Sequence, residues 1–239
     1  MLILGQLLEA LKAKATPAFR DEAARRLEAT TREHRELRAQ LAKLAADKGA
    51  RNAVNPHYLC AELGRALGED DILVNEAIRN AGVVFNQIVR TRPGTSLGFS
   101  GGGLGCSAGL ALGAKLARPE ATVVQVVGDG SFYFGNPSST YAVSRQYRLP
   151  LFTVVLDNAG WSAVKEATLR MYPEGESKSI GEFQALLAPG VEFARICEAA
   201  GGFGEALSDP DAVPEAIRRC LAEVRGGRPA VLHVKIPVL

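Results

Sequence analysis

Residues 122–131, TVVQVVGDGS, and residues 151–161, LFTVVLDNAGW, decide how this chain is read. Each begins as an apolar run rich in β-branched side chains, the pattern of a strand buried on both faces. The runs Thr122 to Val127 and Leu151 to Leu156 each pass directly into a short, glycine-containing polar turn. Between them, Ser138 to Tyr147 reads as a helix. Twenty-six residues separate Gly130 from Asp157, about the length of one helix plus one strand. Such a crossover brings the two turns to the same edge of a parallel sheet.

The alternation continues in both directions. Tyr58 to Leu67, Ala108 to Leu116, Phe193 to Ala200 and Val213 to Val224 read as helices. Asp71 to Val74 and Ala230 to Ile236 read as strands, and a glycine-rich loop runs from Gly94 to Gly105. The predicted fold class is therefore α/β, a parallel sheet flanked by helices on both faces. In such sheets ligands bind beyond the carboxyl ends of the strands. Before Asn55-Pro56 the composition differs. From Pro17 to Lys48 there is no glycine and no internal proline, and Ala, Arg, Glu and Leu dominate, which predicts a helix. Its leucine spacing covers too few heptads for a coiled coil. The expected organisation is a helical linker over 1–54 and a ligand-binding domain over 55–239.

The chain has 239 residues, 47% of them hydrophobic and 23% charged, with a formal net charge of +2 spread along its length. That composition suits a globular protein with one sizeable core and gives no basic block for a nucleic-acid partner. No run approaches the roughly 20 apolar residues of a membrane span, so no membrane partner is expected. The opening MLILGQLLEALKAKATP is interrupted by Glu9 and Lys12 and makes a poor signal peptide. Cys60, Cys106, Cys197 and Cys220 are far apart and form no CxxC pair. They read as reduced, mostly buried thiols, and a cytoplasmic location is the expectation.

The two turns carry the chemistry. In Gly128-Asp129-Gly130-Ser131 the glycines let a ligand approach the backbone, and successive N–H groups after a strand can hold phosphate oxygens. A diphosphate brings more charge than a nearly neutral loop can balance, so a hard cation is required. Mg²⁺ takes oxygen ligands, one or two from side chains, with phosphate and water completing the octahedron. Asp129 and Asn158 supply that minimum. Either turn alone would be unremarkable, since Gly-Asp-Gly and Asn-x-Gly are common turn sequences; the pair at this spacing is more specific.

The segment GDGSF, followed by LDNAG, resembles the paired signature of thiamine-diphosphate enzymes, Gly-Asp-Gly followed after about 25 residues by Asn-Asn. The resemblance extends upstream through SGGGLGCSAGLALGAKLARPEATVVQVVGDGS and covers the chain from about residue 55 onward. It is to the cofactor domain of the acetolactate synthase, benzoylformate decarboxylase and 2-hydroxyacyl-CoA lyase group, which has a Rossmann-like thiamine-diphosphate-binding fold. The resemblance implies that Asp129 and Asn158 bind Mg²⁺, that Gly160 adds a backbone carbonyl, and that Gly128, Gly130 and Ser131 hold the diphosphate. It places Leu104 at the apolar wedge that bends the cofactor, and Gly102 where a carbonyl accepts from the aminopyrimidine. Ala77, Ile78 and Arg79, in the loop Asn75 to Asn80, correspond to a further phosphate-side loop whose family counterparts are richer in hydroxyls.

One departure is visible: Asp157 stands where the pattern has its first Asn. It either adds negative charge near the metal or caps a turn. His233 alternates with Leu232 and Val234 and reads as a strand-face residue, His57 as part of a helix start, and Cys106 as a small packing residue. Trp161 and Lys165 are divided between a substrate wall and ordinary packing.

The resemblance also implies a partner. In the family an activating glutamate sits on a separate pyrimidine-binding domain or subunit, and cofactor sites form in homo- or hetero-oligomers. Nothing in residues 1–54 resembles that domain. The expected function is the cofactor half of an enzyme that makes or breaks C–C bonds in a 2-oxo acid or acyl-CoA substrate. The alternatives are a non-catalytic binding or regulatory subunit that retains the site, and an unrelated nucleotide-binding α/β protein, although no P-loop is present.

Overall fold

A computed structural model describes residues 2–98 and 103–238, and these separate into two compact units that divide after Lys43. The first unit holds α1 (Leu2–Lys14) and most of α2 (Pro17–Ala46). The alanine- and glutamate-rich stretch forms one uninterrupted helix, ending two residues before Lys48. α1 buries none of its residues. Residues 44–54, which composition grouped with the linker, fall within the second unit. There β1 (Gly49–Ala50) and β2 (Ala53–Val54) form a small antiparallel hairpin.

In the second unit the chain continues through α3 (Pro56–Ala66), β3 (Ile72–Glu76), α4 (Ala81–Gln87), β4 (Ser96–Gly98) and α5 (Ser107–Ala117). It then passes β5 (Val123–Gly128), α6 (Asp129–Phe134), α7 (Pro137–Tyr147), β6 (Phe152–Asp157), α8 (Ser162–Met171) and α9 (Glu176–Ile180). Finally come α10 (Phe193–Ala199), β7 (Phe203–Leu207), α11 (Val213–Arg225) and β8 (Ala230–Lys235). Six strands form one sheet in the order β4-β3-β5-β6-β8-β7, and every neighbouring pair is parallel. The α/β expectation holds.

Period-two alternation along the strands sends side chains to the two faces. Val124, Val126, Val154 and Leu232 pack with Leu59, Leu63, Ile217 and Leu221 from α3 and α11. On the opposite face, Val127, Val155 and Val231 meet Phe132, Tyr141 and Phe193, while Ile72, Val74 and Val123 meet Ala111 of α5. The sheet is thus covered on both sides, which accounts for its nearly unbroken apolar strands. Among the described residues no helix is long and apolar enough to cross a membrane.

Three details differ from the sequence reading. β3 runs on through Asn75 and Glu76, so these are strand residues and not the start of the loop. β4 lies inside the glycine-rich stretch, where Ser96-Leu97-Gly98 gives almost no strand signal. β7, an edge strand of sequence FGEAL, is only partly buried and lacks the β-branched residues that marked the others.

Topology places the site. β3 is flanked by β4 on one side and β5 on the other, so the connections leaving β3 and β5 diverge. A crevice opens at the carboxyl ends of strands where the order reverses. The turns after β3, β5 and β6 all lie there.

Candidate functional site

A cleft of about 170 Å³ occupies this position. Ala77, Ile78 and Arg79 line it from the turn after β3, and Gly128, Asp129, Gly130 and Ser131 from the end of β5. Asn158, Gly160 and Trp161 line it from the turn after β6, and Leu104 from the glycine-rich loop. Ten of the eleven residues that the resemblance assigns to the metal and cofactor therefore line one cavity. The eleventh, Gly102, lies outside the described residues.

Asp129 opens α6 directly after β5 and is only 1% exposed. Its Oδ1 accepts the Gly130 N–H at 2.8 Å, whereas its Oδ2 is buried without a hydrogen-bond partner among the described residues. Burial pushes this carboxyl up to about 7, and the nearby Asp157 carboxylate adds to the rise. An ionisable oxygen buried without a partner is costly unless a cation or donor completes it.

Asn158 faces it. One terminal atom of the Asn158 amide lies 3.2 Å from Asp129 Oδ1, 2.8 Å from the Gly160 carbonyl oxygen and 3.0 Å from Ser162 Oγ. Amide oxygen and nitrogen are assigned from their surroundings. Nitrogen at this position donates to the neighbouring oxygens; oxygen there would stand beside Asp129 Oδ1 and the Gly160 carbonyl, an arrangement that a shared cation would stabilise. Adjacent ligands of an octahedral Mg²⁺ with bonds near 2.1 Å stand about 3 Å apart. The separations of the Asn158 amide from Asp129 and Gly160 match that spacing, as they also match hydrogen bonds. Among the described residues no group of three or more His, Cys, Asp and Glu side chains could hold a metal. One carboxylate, one amide and one carbonyl instead leave positions for phosphate and water, the usual arrangement for Mg²⁺.

The backbone explains why glycines stand where they do. A Cβ on Gly130 would fall 2.5 Å from Trp161 Cδ1, so the indole lies directly on that peptide. Trp161 also meets Tyr133 edge-on, with ring centroids 6.4 Å apart. It is both wall and packing residue. Gly160 sits at φ +152, and the turn is fastened by Trp161 N–H donating to the Ala185 carbonyl at 2.8 Å and Leu187 N–H donating to the Ala159 carbonyl at 3.0 Å. On its other side this turn walls a second cavity of about 240 Å³, where the Lys165 ammonium lies 5.4 Å from the centre of the Phe183 ring.

The turn after β3 is unusual. Ile78 adopts φ +44, a region that β-branched residues rarely occupy and that costs on the order of 1–3 kcal/mol. Asn75 holds the turn in place, its Oδ1 accepting the Ala77 N–H at 3.0 Å and its Nδ2 donating to the Ala81 carbonyl at 3.1 Å. Arg79 Nε donates to Glu166 Oε1 on α8 at 2.6 Å.

Sequence reasoning missed Glu76. This fully buried carboxylate accepts the N–H groups of Gly105 and Ser107, and so ties the loop carrying Leu104 to the end of β3. The available signal was an acid closing the apolar run Ile-Leu-Val-Asn-Glu. Cys106 is exposed and not a buried packing residue. His57 belongs to the start of α3, where its N–H is capped by Asn55 Oδ1.

Comparisons with known proteins identify the family and the fold. The family profile described as thiamine pyrophosphate enzyme, C-terminal TPP binding domain, matches residues 80–234. A probable acetolactate synthase of Mycobacterium bovis is 32% identical over 182 residues, covering 76% of this chain and 31% of the relative. A benzoylformate decarboxylase of Pseudomonas aeruginosa is 28% identical over 169 residues, covering 69% of this chain and 29% of its own. A solved structure of a thiamine diphosphate-dependent 4-hydroxybenzoylformate decarboxylase from Rhodococcus jostii RHA1 superposes with a TM-score of 0.69 at 25% identity. That alignment covers 81% of this chain and 34% of the other. The chain thus spans about a third of the length of the relatives it matches.

Proposed function

The chain belongs to the thiamine pyrophosphate enzyme family, as its C-terminal cofactor-binding domain, and on that premise we propose that it binds thiamine diphosphate through Mg²⁺ as the cofactor half of a C–C bond-making or -breaking enzyme. The observation that carries the reading is the approach of the Asn158 amide to Asp129 Oδ1 at 3.2 Å, beside a buried Asp129 oxygen that lacks a partner among the described residues. Asp129, Asn158 and the Gly160 carbonyl would hold the cation. Gly128, Gly130 and Ser131 present the backbone to the diphosphate, and Ala77, Ile78 and Arg79 close on it from the turn after β3.

When bound, thiamine diphosphate supplies the carbanion chemistry at a carbonyl carbon. The chain's own share is position: Leu104 would press on the bound cofactor and Trp161 would wall the cleft beside its diphosphate. The activating glutamate comes from a pyrimidine-binding domain, contiguous in a longer polypeptide or carried by another subunit of an oligomer. The substrate class is a small 2-oxo acid or an acyl-CoA, acted on in the cytoplasm by a decarboxylase, synthase or lyase.

The activity test uses the purified chain with thiamine diphosphate and Mg²⁺. Alone it should turn over no 2-oxo acid; mixed with a pyrimidine-binding partner it should become active, and Asp129→Ala should abolish that activity. Steady decarboxylation by the 239-residue chain alone would contradict the proposed division of labour.

A further inference from the structure

Asp157 is a second carboxylate immediately beside the proposed metal ligands. It is 4% exposed, and both of its oxygens are occupied. Oδ1 accepts the Ala159 N–H at 2.9 Å; Oδ2 contacts His233 Nε2 at 2.6 Å and accepts from Lys235 Nζ. The two partners come from one face of β8, two residues apart. β8 runs beside β6 in a register that sets Lys235 opposite Asp157 and His233 opposite Val155. The arrangement is fixed by the sheet and not by flexible surface chains. His233 is itself buried and held edge-on by Phe193, with ring centroids 5.1 Å apart.

Left to itself, a carboxylate here would do two things. It would compete with the neutral Asn158 amide for a hard cation, since Mg²⁺ prefers charged oxygen. It would also add negative charge where a diphosphate must dock. Both effects are suppressed if its charge is balanced and both of its oxygens are engaged by other partners. The Ala159 N–H bond does further work. It stabilises the left-handed Ala159, at φ +69, and that turn points the preceding Asn158 amide at Asp129.

We infer that Asp157, His233 and Lys235 form an internal charge clamp that keeps Asp157 off the cation and fixes Asn158 on it. His233 and Lys235 are positioning residues for the metal loop, and Asp157 is the counter-charge of Lys235. The inference rests on the Mg²⁺ site proposed above and assigns a role to a strand that contributes no ligand. Groups that orient a metal ligand without touching the metal commonly change affinity 10–100-fold when lost.

The test follows Mn²⁺, as a spectroscopic stand-in for Mg²⁺, by electron paramagnetic resonance of the full chain with thiamine diphosphate in excess, so that the signal reports the metal–diphosphate complex, whose anionic end an unbalanced Asp157 repels. Lys235→Met should weaken Mn²⁺ binding by about tenfold or more, whereas Lys235→Arg, which keeps the cation, should stay within about threefold of the parent. The decisive variant is the double change Asp157→Asn with Lys235→Met. Removing the charge together with its balance should restore binding to within about threefold of the parent. Circular dichroism melts separate this from mere stability, because loss of a structural contact alone lowers the melting point without selective repair by the second substitution. If Lys235→Met binds Mn²⁺ like the parent, or the double variant is no better than Lys235→Met, the clamp is wrong. If the parent itself binds no Mn²⁺, the site reading fails instead.

Discussion

The Cβ that Gly160 lacks would fall 2.1 Å from the Ala185 carbonyl oxygen and 3.0 Å from Leu186 Cα, both backbone atoms that cannot swing aside. Gly160 also holds φ +152, where an L side chain is strained regardless of space. Gly160→Ala should therefore destabilise the fold by about 2–4 kcal/mol and displace Asn158 from Asp129. Urea denaturation reads the first effect and metal-dependent cofactor binding the second. A variant with parental stability and parental binding would show that the segment at Ala185 does not constrain the metal loop.

Asp129 exchanges stability for binding. Burial lifts its carboxyl to about 7 from the ordinary 3.8, so ionisation is penalised in the folded chain. That penalty is complete above pH 7, shrinks as the pH falls and disappears below about 4, where folded and unfolded carboxyls are both protonated. Without divalent cation, Asp129→Asn should be more stable than the parent at pH 8 by about 1–3 kcal/mol, with the advantage gone near pH 4. Mn²⁺ should raise the melting point of the parent but not of the variant. A parent that melts at or above the variant at pH 8 would remove the case for a buried, uncompensated carboxylate.

The thiols should separate cleanly. Cys60, Cys197 and Cys220 are buried, and burial pushes Cys60 and Cys197 up to about 12 and Cys220 higher still, so none offers an accessible thiolate. Cys106 is exposed, although partial burial and the neighbouring Glu76 charge raise it as well. A disulfide-exchange reagent at pH 8 should titrate a single thiol in the native chain, and all four cysteines once it is unfolded. Two or more fast native thiols would mean that the packing around α3, α10 or α11 is looser than described.

Much of this was legible in the sequence, for identifiable reasons. β5, β6 and β8 are central strands buried on both faces, and such strands declare themselves as unbroken apolar runs. The turns that carry Asp129 and Asn158 were legible because each follows such a run. β4 and β7 lie at the sheet edges, where three or five weakly apolar residues suffice and pairing, not composition, defines the strand. The left-handed Ile78 could not have been anticipated, because its conformation is imposed by tertiary contacts against its own preference. Glu76 and the contacts of Asp157 with His233 and Lys235 link residues 29 to 78 positions apart. Only the folded sheet brings them together.

The central claim is that one cation, shared by Asp129 and Asn158, anchors a diphosphate. Isothermal titration of thiamine diphosphate into the purified chain, with and without Mg²⁺, tests it most directly. Saturable binding should appear only with Mg²⁺ and vanish in both Asp129→Ala and Asn158→Ala. Equal affinity in the presence of a chelator, or full Mg²⁺-dependent binding by either variant, would contradict the account.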